Sequence, residues 1–238
     1  MSTGYSMKAK GSAVAEVYIY EDIGKRFGGV SDKQFAADLK ALGAVSTIHV
    51  RLNSYGGDVF EGLAIYRLLA DHPATVVAFI DGIAASIASV IAMAGDEIRI
   101  AEAGELMIHE AWTIAVGPAA EMRAAADHLE ATSSSIADVY AARTGQSKDQ
   151  VRVWMAAETI FQSADTVKYG FAQVVMPNVK MAARHHPSAM HWRRTAASAA
   201  EFTETTAIVR PLYDEKVQRL ARQRARRLLS QPALGANV

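Results

Sequence analysis

Three short stretches carry residue types that together can perform acyl transfer: Asn53-Ser54-Tyr55-Gly56-Gly57-Asp58, Gly82-Ile83-Ala84-Ala85-Ser86 and Leu106-Met107-Ile108-His109. A serine hydroxyl is a poor nucleophile at neutral pH and needs an adjacent base, usually a histidine that a third group orients. Ser86 is the candidate nucleophile. It follows an apolar run and a glycine-containing turn and opens a helix-prone run of small residues, where backbone N–H groups can hold a developing oxyanion. His109 closes a short apolar strand and is the candidate base. Gly56 and Gly57 permit a backbone with exposed N–H groups, suited to an oxyanion or an extended peptide. Taken singly, each has an ordinary use: a helix-start serine, a satisfied core histidine, a tight turn. In this order and at these intervals they read as a hydrolase site. Ser89, one turn beyond Ser86, reads as a packing residue.

The elements that must position these residues follow from periodicity. Val14 to Tyr20 is β-branched and aromatic, Ser31 can cap a helix running to about Leu42, and Thr47 to Leu52 is a second apolar strand. The pattern repeats with a turn at Ser54 to Gly57, a helix through Leu63, Ile65 and Leu68 to about Ala70, and a strand from Thr75 to Ile80. Successive β-α-β units predict an α/β fold with a largely parallel sheet. A turn at Asp81-Gly82 then leads into a helix of small residues from Ala84 to Ala94, able to lie close against the sheet. Short strands at Glu97 to Ile100 and Glu105 to His109 follow. Pro118 opens a long amphipathic helix to about Arg143, long enough to project from the globule, and Gly145 ends it. Ser147 caps a shorter helix to about Ala157. Ser163 is a fair cap for a last helix within Gln162 to Tyr169, and Phe171 to Val175 reads as the final strand.

Composition narrows the chemistry. The 238 residues carry 25 Lys or Arg against 25 Asp or Glu, and half are hydrophobic, so a sizeable core is expected with no overall pull toward nucleic acid or membrane. There is no cysteine, which removes disulfides, thiolate metal sites and cysteine nucleophiles together. Residues 1–12 lack the apolar core of a signal peptide and are expected to be flexible. The most hydrophobic run, Ala74 to Ala94, is broken by Asp81, Gly82 and two serines. A cytoplasmic protein without a membrane span is expected. The compact domain spans 13–181, and 182–238 form a linker and a tail. Between Arg210 and Arg227 the tail holds seven Lys or Arg against Asp214 and Glu215. It is a helix-prone segment, solvated or docked on a partner or acidic surface. His185, His186 and His191 cluster near the linker without regularly spaced acidic ligands, so no metal site is expected there.

With these residues in view, the chain resembles the ClpP family of serine peptidases, and more closely its phage relatives, the ClpP-like head maturation (prohead) proteases. The resemblance spans roughly Ala15 to Val175. It rests on Asn53 to Asp58, Gly62 to Tyr66, Gly82 to Ser86, Met107 to His109, Thr144-Gly145-Gln146-Ser147 and Phe161 to Gly170. Trp112-Thr113 and Ala157-Glu158-Thr159 tilt it toward the phage branch. It implies a ClpP/crotonase-like fold of repeated β-α-β units with a projecting long helix. It also implies Ser86 as nucleophile, His109 as general base, the N–H groups of Gly57 and Ile87 as oxyanion hole, and Gly56 and Gly57 beside the substrate. The family pattern Asn-Ser-Pro-Gly-Gly has Tyr55 in place of its proline and keeps both glycines.

The third triad member departs from the family. Counting back from Phe161 puts the usual Asp on Thr159, which cannot stabilise an imidazolium by charge. Counting forward from Thr144 to Ser147 puts it on Glu158, which would need a local bulge to reach His109. Glu158 is the expected partner and Thr159 the alternative, with a dyad or another acid such as Asp165 left open. The resemblance further implies a serine endopeptidase without metal or organic cofactor, acting on protein in a ring of six or seven subunits. In the phage reading it cleaves scaffold or capsid precursor within an assembling prohead in the host cytoplasm. The competing readings are a housekeeping ClpP-type subunit fed by an AAA+ unfoldase, a catalytically silent ring or scaffold component, and, more distantly, a crotonase-type acyl-CoA enzyme.

Overall fold

The computed structural model describes residues 5–10 and 13–177. Alternation drives the first strands. Val14–Ile19 (β2) buries Ala15, Val17 and Ile19 and turns Glu16 and Tyr18 to the other face, and Thr47–Ser54 (β3) buries Ile48, Val50, Leu52 and Ser54 in the same way. Between them Asp32–Ala41 (α1) buries Phe35 and Leu39. Next, Val59–Ala70 (α2) is capped by Asp58, whose carboxylate accepts the N–H groups of Phe60 and Glu61. Helix α2 buries Gly62, Ile65 and Leu69.

The remaining elements are Thr75–Ala85 (β4), Ile87–Ala92 (α3), Glu97–Ala101 (β5), Glu105–Ile108 (β6), Ala119–Thr144 (α4), Lys148–Ala156 (α5), Thr159–Gln162 (β7), Ser163–Lys168 (α6) and Val174–Met176 (β8). Strands β2, β3, β4, β5 and β8 run parallel in that order. The expected α/β fold with a mainly parallel sheet is what forms. The small residues of α3 are all buried, and Gly62 of α2 lies so close that a Cβ there would come 2.2 Å from Ile87 Cγ1. Helix α4 ends on Gly145 in the left-handed conformation (φ 71°), and Ser147 caps α5 through the N–H of Gln150.

Five features differ from expectation. Residues 5–10, expected to be flexible, form an edge strand (β1) antiparallel to β2. Its Tyr5 and Met7 pack on the core at the two-residue spacing of a strand. Strand β4 does not end in a turn at Asp81-Gly82 but continues to Ala85, which shortens α3 to Ile87–Ala92. A strand β7 forms where none was expected, antiparallel to β6. Finally, Phe171 and Ala172 are buried ahead of β8 rather than within it, and Ser163 bonds the carbonyl of Glu102 instead of capping α6.

The continuation of β4 decides where the site lies. Leu52 pairs with Ile80 and Ser54 with Ala84, so β4 spends two more residues than β3 over this interval. The bulge is held from β3. Arg51 Nε donates to Asp81 Oδ2 at 2.9 Å, and the carbonyl oxygen of the Asn53 side chain accepts the N–H of Ile83 at 3.2 Å. A Cβ on Gly82 would stand 2.5 Å from that Asn53 oxygen and would push it from its bond to Ile83. Past the bulge β4 changes partner: Val77 to Ile80 pair with β5, whereas Ile83 to Ala85 pair with β6.

Among the described residues no helix is long and apolar enough to cross a membrane. The segment 182–238, with its expected linker, basic helix and the trio His185, His186 and His191, lies outside the described residues.

Candidate active site

The bulged end of β4 delivers Ser86 at a sharp strand-to-helix turn. Its φ of 56° and ψ of −131° lie where a non-glycine residue stays only if its surroundings hold it, at a cost of roughly 1–3 kcal/mol. Both adjoining peptide groups are tethered: Ser86 N–H donates to the carbonyl of Met107 at 2.9 Å, and the Ser86 carbonyl accepts the N–H of Ser89 at 3.0 Å. Because β6 runs beside this end of β4, with Ala85 paired to Met107, the residue just past β6 comes alongside the turn. That residue is His109. Its Nε2 lies 2.7 Å from Ser86 Oγ, so the two side chains singled out in the sequence meet in a hydrogen bond.

The glycine pair reaches the same place from β3. Ser54 Oγ accepts the N–H of Gly56 at 3.2 Å and donates to the carbonyl of Glu21 at 2.7 Å, folding the chain back. Ile23 then brackets Gly57: its N–H donates to Gly56 O and its carbonyl accepts Asp58 N–H, each at 2.8 Å. In such a parallel bridge the flanking residues make the bonds, so the N–H of Gly57 itself points away from Ile23. No alanine fits here. A Cβ on Gly57 (φ 151°) would stand 2.0 Å from Ile23 O, and one on Gly56 (φ 95°) would stand 2.7 Å from Ser86 Cβ and 3.2 Å from Ile87 N. The close approach of Gly56 brings the glycine turn against the Ser86 turn. Ile87 opens α3, where a backbone N–H has no intrahelical acceptor.

Glu158, the expected partner of His109, is placed by the strand that sequence reasoning missed. In the β6–β7 ladder Ile108 pairs with Thr159, and the next step of that register sets His109 opposite Glu158. Glu158 adopts φ 49°, a left-handed residue between α5 and β7, and supplies the local departure from strand geometry that the alignment by residue count demanded. Burial pushes the His109 imidazole below its usual pKa, while the Glu158 carboxylate pulls it back up. The carboxylate is exposed and reaches His109 through its charge, without a hydrogen bond among the described residues. Thr159 is committed elsewhere, donating its hydroxyl to the carbonyl of Trp154 at 2.8 Å. Asp165 lies on the exposed side of α6.

Three supports were not legible beforehand. Arg152 of α5 bonds Glu110, the residue after His109, and Glu130 of α4, each at 2.9 Å. Ser133 of α4 accepts the N–H of Ala111 at 3.0 Å. Ser89 and Tyr140 meet beneath Ser86 at 2.7 Å. Ser89 and Ser133 alone among them carried a sequence signal, polar residues on buried helix faces. Among the described residues no group of three or more His, Cys, Asp or Glu is arranged to hold a metal ion. Chemically, the arrangement offers a hydroxyl on a neutral imidazole beside outward-facing N–H groups, the parts needed to attack a carbonyl and hold the resulting oxyanion.

The family model described as Clp protease matches residues 17–179. The chain is 32% identical over 144 residues to the ATP-dependent Clp protease proteolytic subunit of Ligilactobacillus salivarius, covering 60% of this chain and 73% of that protein. It is 30% identical over 144 residues to the protein of the same name from Streptococcus pneumoniae, covering 59% and 74%. Among solved structures, a mutant of ClpP1 from Listeria monocytogenes superposes with a TM-score of 0.60 over 69% of this chain and 92% of its own. At 23% identity that likeness speaks to the fold.

Proposed function

The chain belongs to the Clp protease family of serine-type endopeptidases, and from that premise we propose that Ser86 is its nucleophile, His109 its general base and Glu158 the group that steadies the imidazolium. The observation that carries the reading is the 2.7 Å contact between His109 Nε2 and Ser86 Oγ at a strained turn flanked by Gly57 and Ile87. Ser86 Oγ attacks the scissile carbonyl carbon as its proton passes to His109 Nε2. The N–H groups of Gly57 and Ile87 hold the oxyanion. His109 returns the proton to the leaving amine as the C–N bond breaks, which leaves an acyl ester on Ser86. Water attacks that ester with His109 again taking the proton, and Ser86 regains its hydrogen. The scheme needs neither metal nor organic cofactor.

We propose further that residues 13–181 form the protease domain within a ring of six or seven copies. Its cellular role is cleavage of scaffold or capsid precursor in an assembling prohead. Trp112-Thr113 and Ala157-Glu158-Thr159 support this role. The second reading, a subunit fed by an AAA+ unfoldase, is favoured by the names of the relatives, which are called ATP-dependent Clp protease proteolytic subunits.

Fluorophosphonate labelling of the assembled protein, with the labelled peptide mapped by mass spectrometry, tests the chemistry. Label on Ser86 that disappears in Ser86→Ala is expected; an intact protein that takes no label would sink the nucleophile assignment. For the role, purified protein is mixed with a capsid or scaffold precursor. Processing without ATP supports the prohead reading, whereas degradation that requires an AAA+ partner and ATP supports the other.

A further inference from the structure

Ser89 is fully buried on α3, and Tyr140 of α4 is buried beside it. Neither takes part in the proposed chemistry, yet together they form a polar island in an apolar layer. Ser89 Oγ lies 2.5 Å from the carbonyl of Ser86, 3.1 Å from the carbonyl of Met107 and 2.7 Å from Tyr140 Oη. Either oxygen could donate in the pair; with Tyr140 as donor, Ser89 still gives its own proton to one of these carbonyls, the arrangement that leaves neither buried proton without an acceptor among the described residues. Burial holds the Tyr140 phenol well above its ordinary pKa, so it remains a proton donor at every pH at which the protein works. In this arrangement the chain runs from Tyr140 O–H to Ser89 and from Ser89 O–H to Ser86 or Met107.

Those two carbonyls are the informative part. One belongs to Ser86, whose left-handed backbone needs restraint. The other belongs to Met107, which also accepts the Ser86 N–H and lies two residues before His109. One hydroxyl thus bridges the turn that aims the candidate nucleophile and the strand that aims the candidate base. Serine alone would bridge them with its proton free to wander among acceptors; a donor arriving from α4 orients its lone pair and fixes the proton on the carbonyl side.

We propose that Ser89 and Tyr140 are positioning residues, a two-hydroxyl strut that locks the Ser86 turn to the His109 strand and makes its alignment depend on the seating of α4. This rests on Ser86 being the nucleophile. Tyr140→Phe deletes one oxygen and keeps the ring against Phe171, where the two are 5.8 Å apart edge to face.

The test measures the rate of fluorophosphonate labelling at Ser86, and kcat and KM for a peptide, in wild type, Ser89→Ala, Tyr140→Phe and the double variant. The folded fraction is checked by circular dichroism at the assay temperature. A displacement of the order of an ångström is expected to slow labelling about 10- to 100-fold in Ser89→Ala and about 3- to 10-fold in Tyr140→Phe, with KM held within about twofold. Because both act along one path, the double variant should be no slower than Ser89→Ala. Wild-type labelling rates in folded Ser89→Ala, or losses that multiply in the double variant, would overturn the strut while leaving Ser86 as nucleophile. If Ser89→Ala does not fold, Tyr140→Phe decides alone: a slower label at unchanged KM supports the strut and a wild-type rate removes it. Wild-type protein that does not label at Ser86 removes the nucleophile reading and the strut with it.

Discussion

The two ends of the proposed relay are built differently. On the nucleophile side, Ser86, Gly56 and Gly57 sit in backbone conformations fixed by main-chain bonds from Ile23, Met107 and Ser89, with no room for an added methyl group at either glycine. On the acid side, Glu158 is an exposed residue on a left-handed link between α5 and β7, acting on His109 through its charge. Precision is thus concentrated where bonds are made and broken. The counter-charge is held loosely, and solvent screens it.

That contrast orders the expected effects. Ser86→Ala should lower peptide hydrolysis by at least about a thousandfold with thermal stability almost unchanged, since activity left after loss of a nucleophile comes from the remaining site. Retained turnover in pure protein would break the nucleophile side outright. Gly57→Ala should follow. Its Cβ meets Ile23 O at 2.0 Å, so the turn must move, and a loss of about 100-fold in kcat is expected together with a lower melting temperature.

Glu158→Gln is expected to cost only about 3- to 30-fold in kcat, well below the penalty for disabling a buried, hydrogen-bonded acid. A pH profile sharpens the point. With His109 as the proposed neutral base, its pKa already lowered by burial, kcat/KM should fall as the pH drops below that lowered value. The Glu158 charge opposes the lowering; its removal should carry the acid limb to still lower pH, while the plateau falls. An unmoved limb would mean that another group holds His109. Smallest of all, Thr159→Val should leave kcat within about twofold and lose only about 1 kcal/mol of stability, the worth of its bond to Trp154 O.

The two sides also differ in how far they could be read from the sequence. Gly56, Gly57, Ser86 and His109 were joined into one site by their order, their intervals and the family resemblance, whereas the parallel core was foreseeable from apolar runs that are local and periodic. Glu158 was preferred to Thr159 by residue count alone, because their placement depends on β7, four residues long, whose pairing with β6 lies more than fifty residues away and leaves no local periodicity. The Asp81-Gly82 pair was read as a turn because its chemistry is that of a turn. Arg51 and Asn53 on the neighbouring strand convert it into a bulge, which no window along a single segment contains. Ser89 looked like packing and is fully buried, but its bonds to two carbonyls and a tyrosine were beyond the reach of helical spacing.

The change of partner along β4 also bears on how this enzyme comes into being. Ser86 is set beside His109 only after β4 has paired with β6, and β6 has a counter-charge only after β7 has returned from beyond α4 and α5. These contacts join residues distant in sequence, and their loops must close before the pairing can form. A nascent or half-folded chain therefore contains every residue of the site without the site itself.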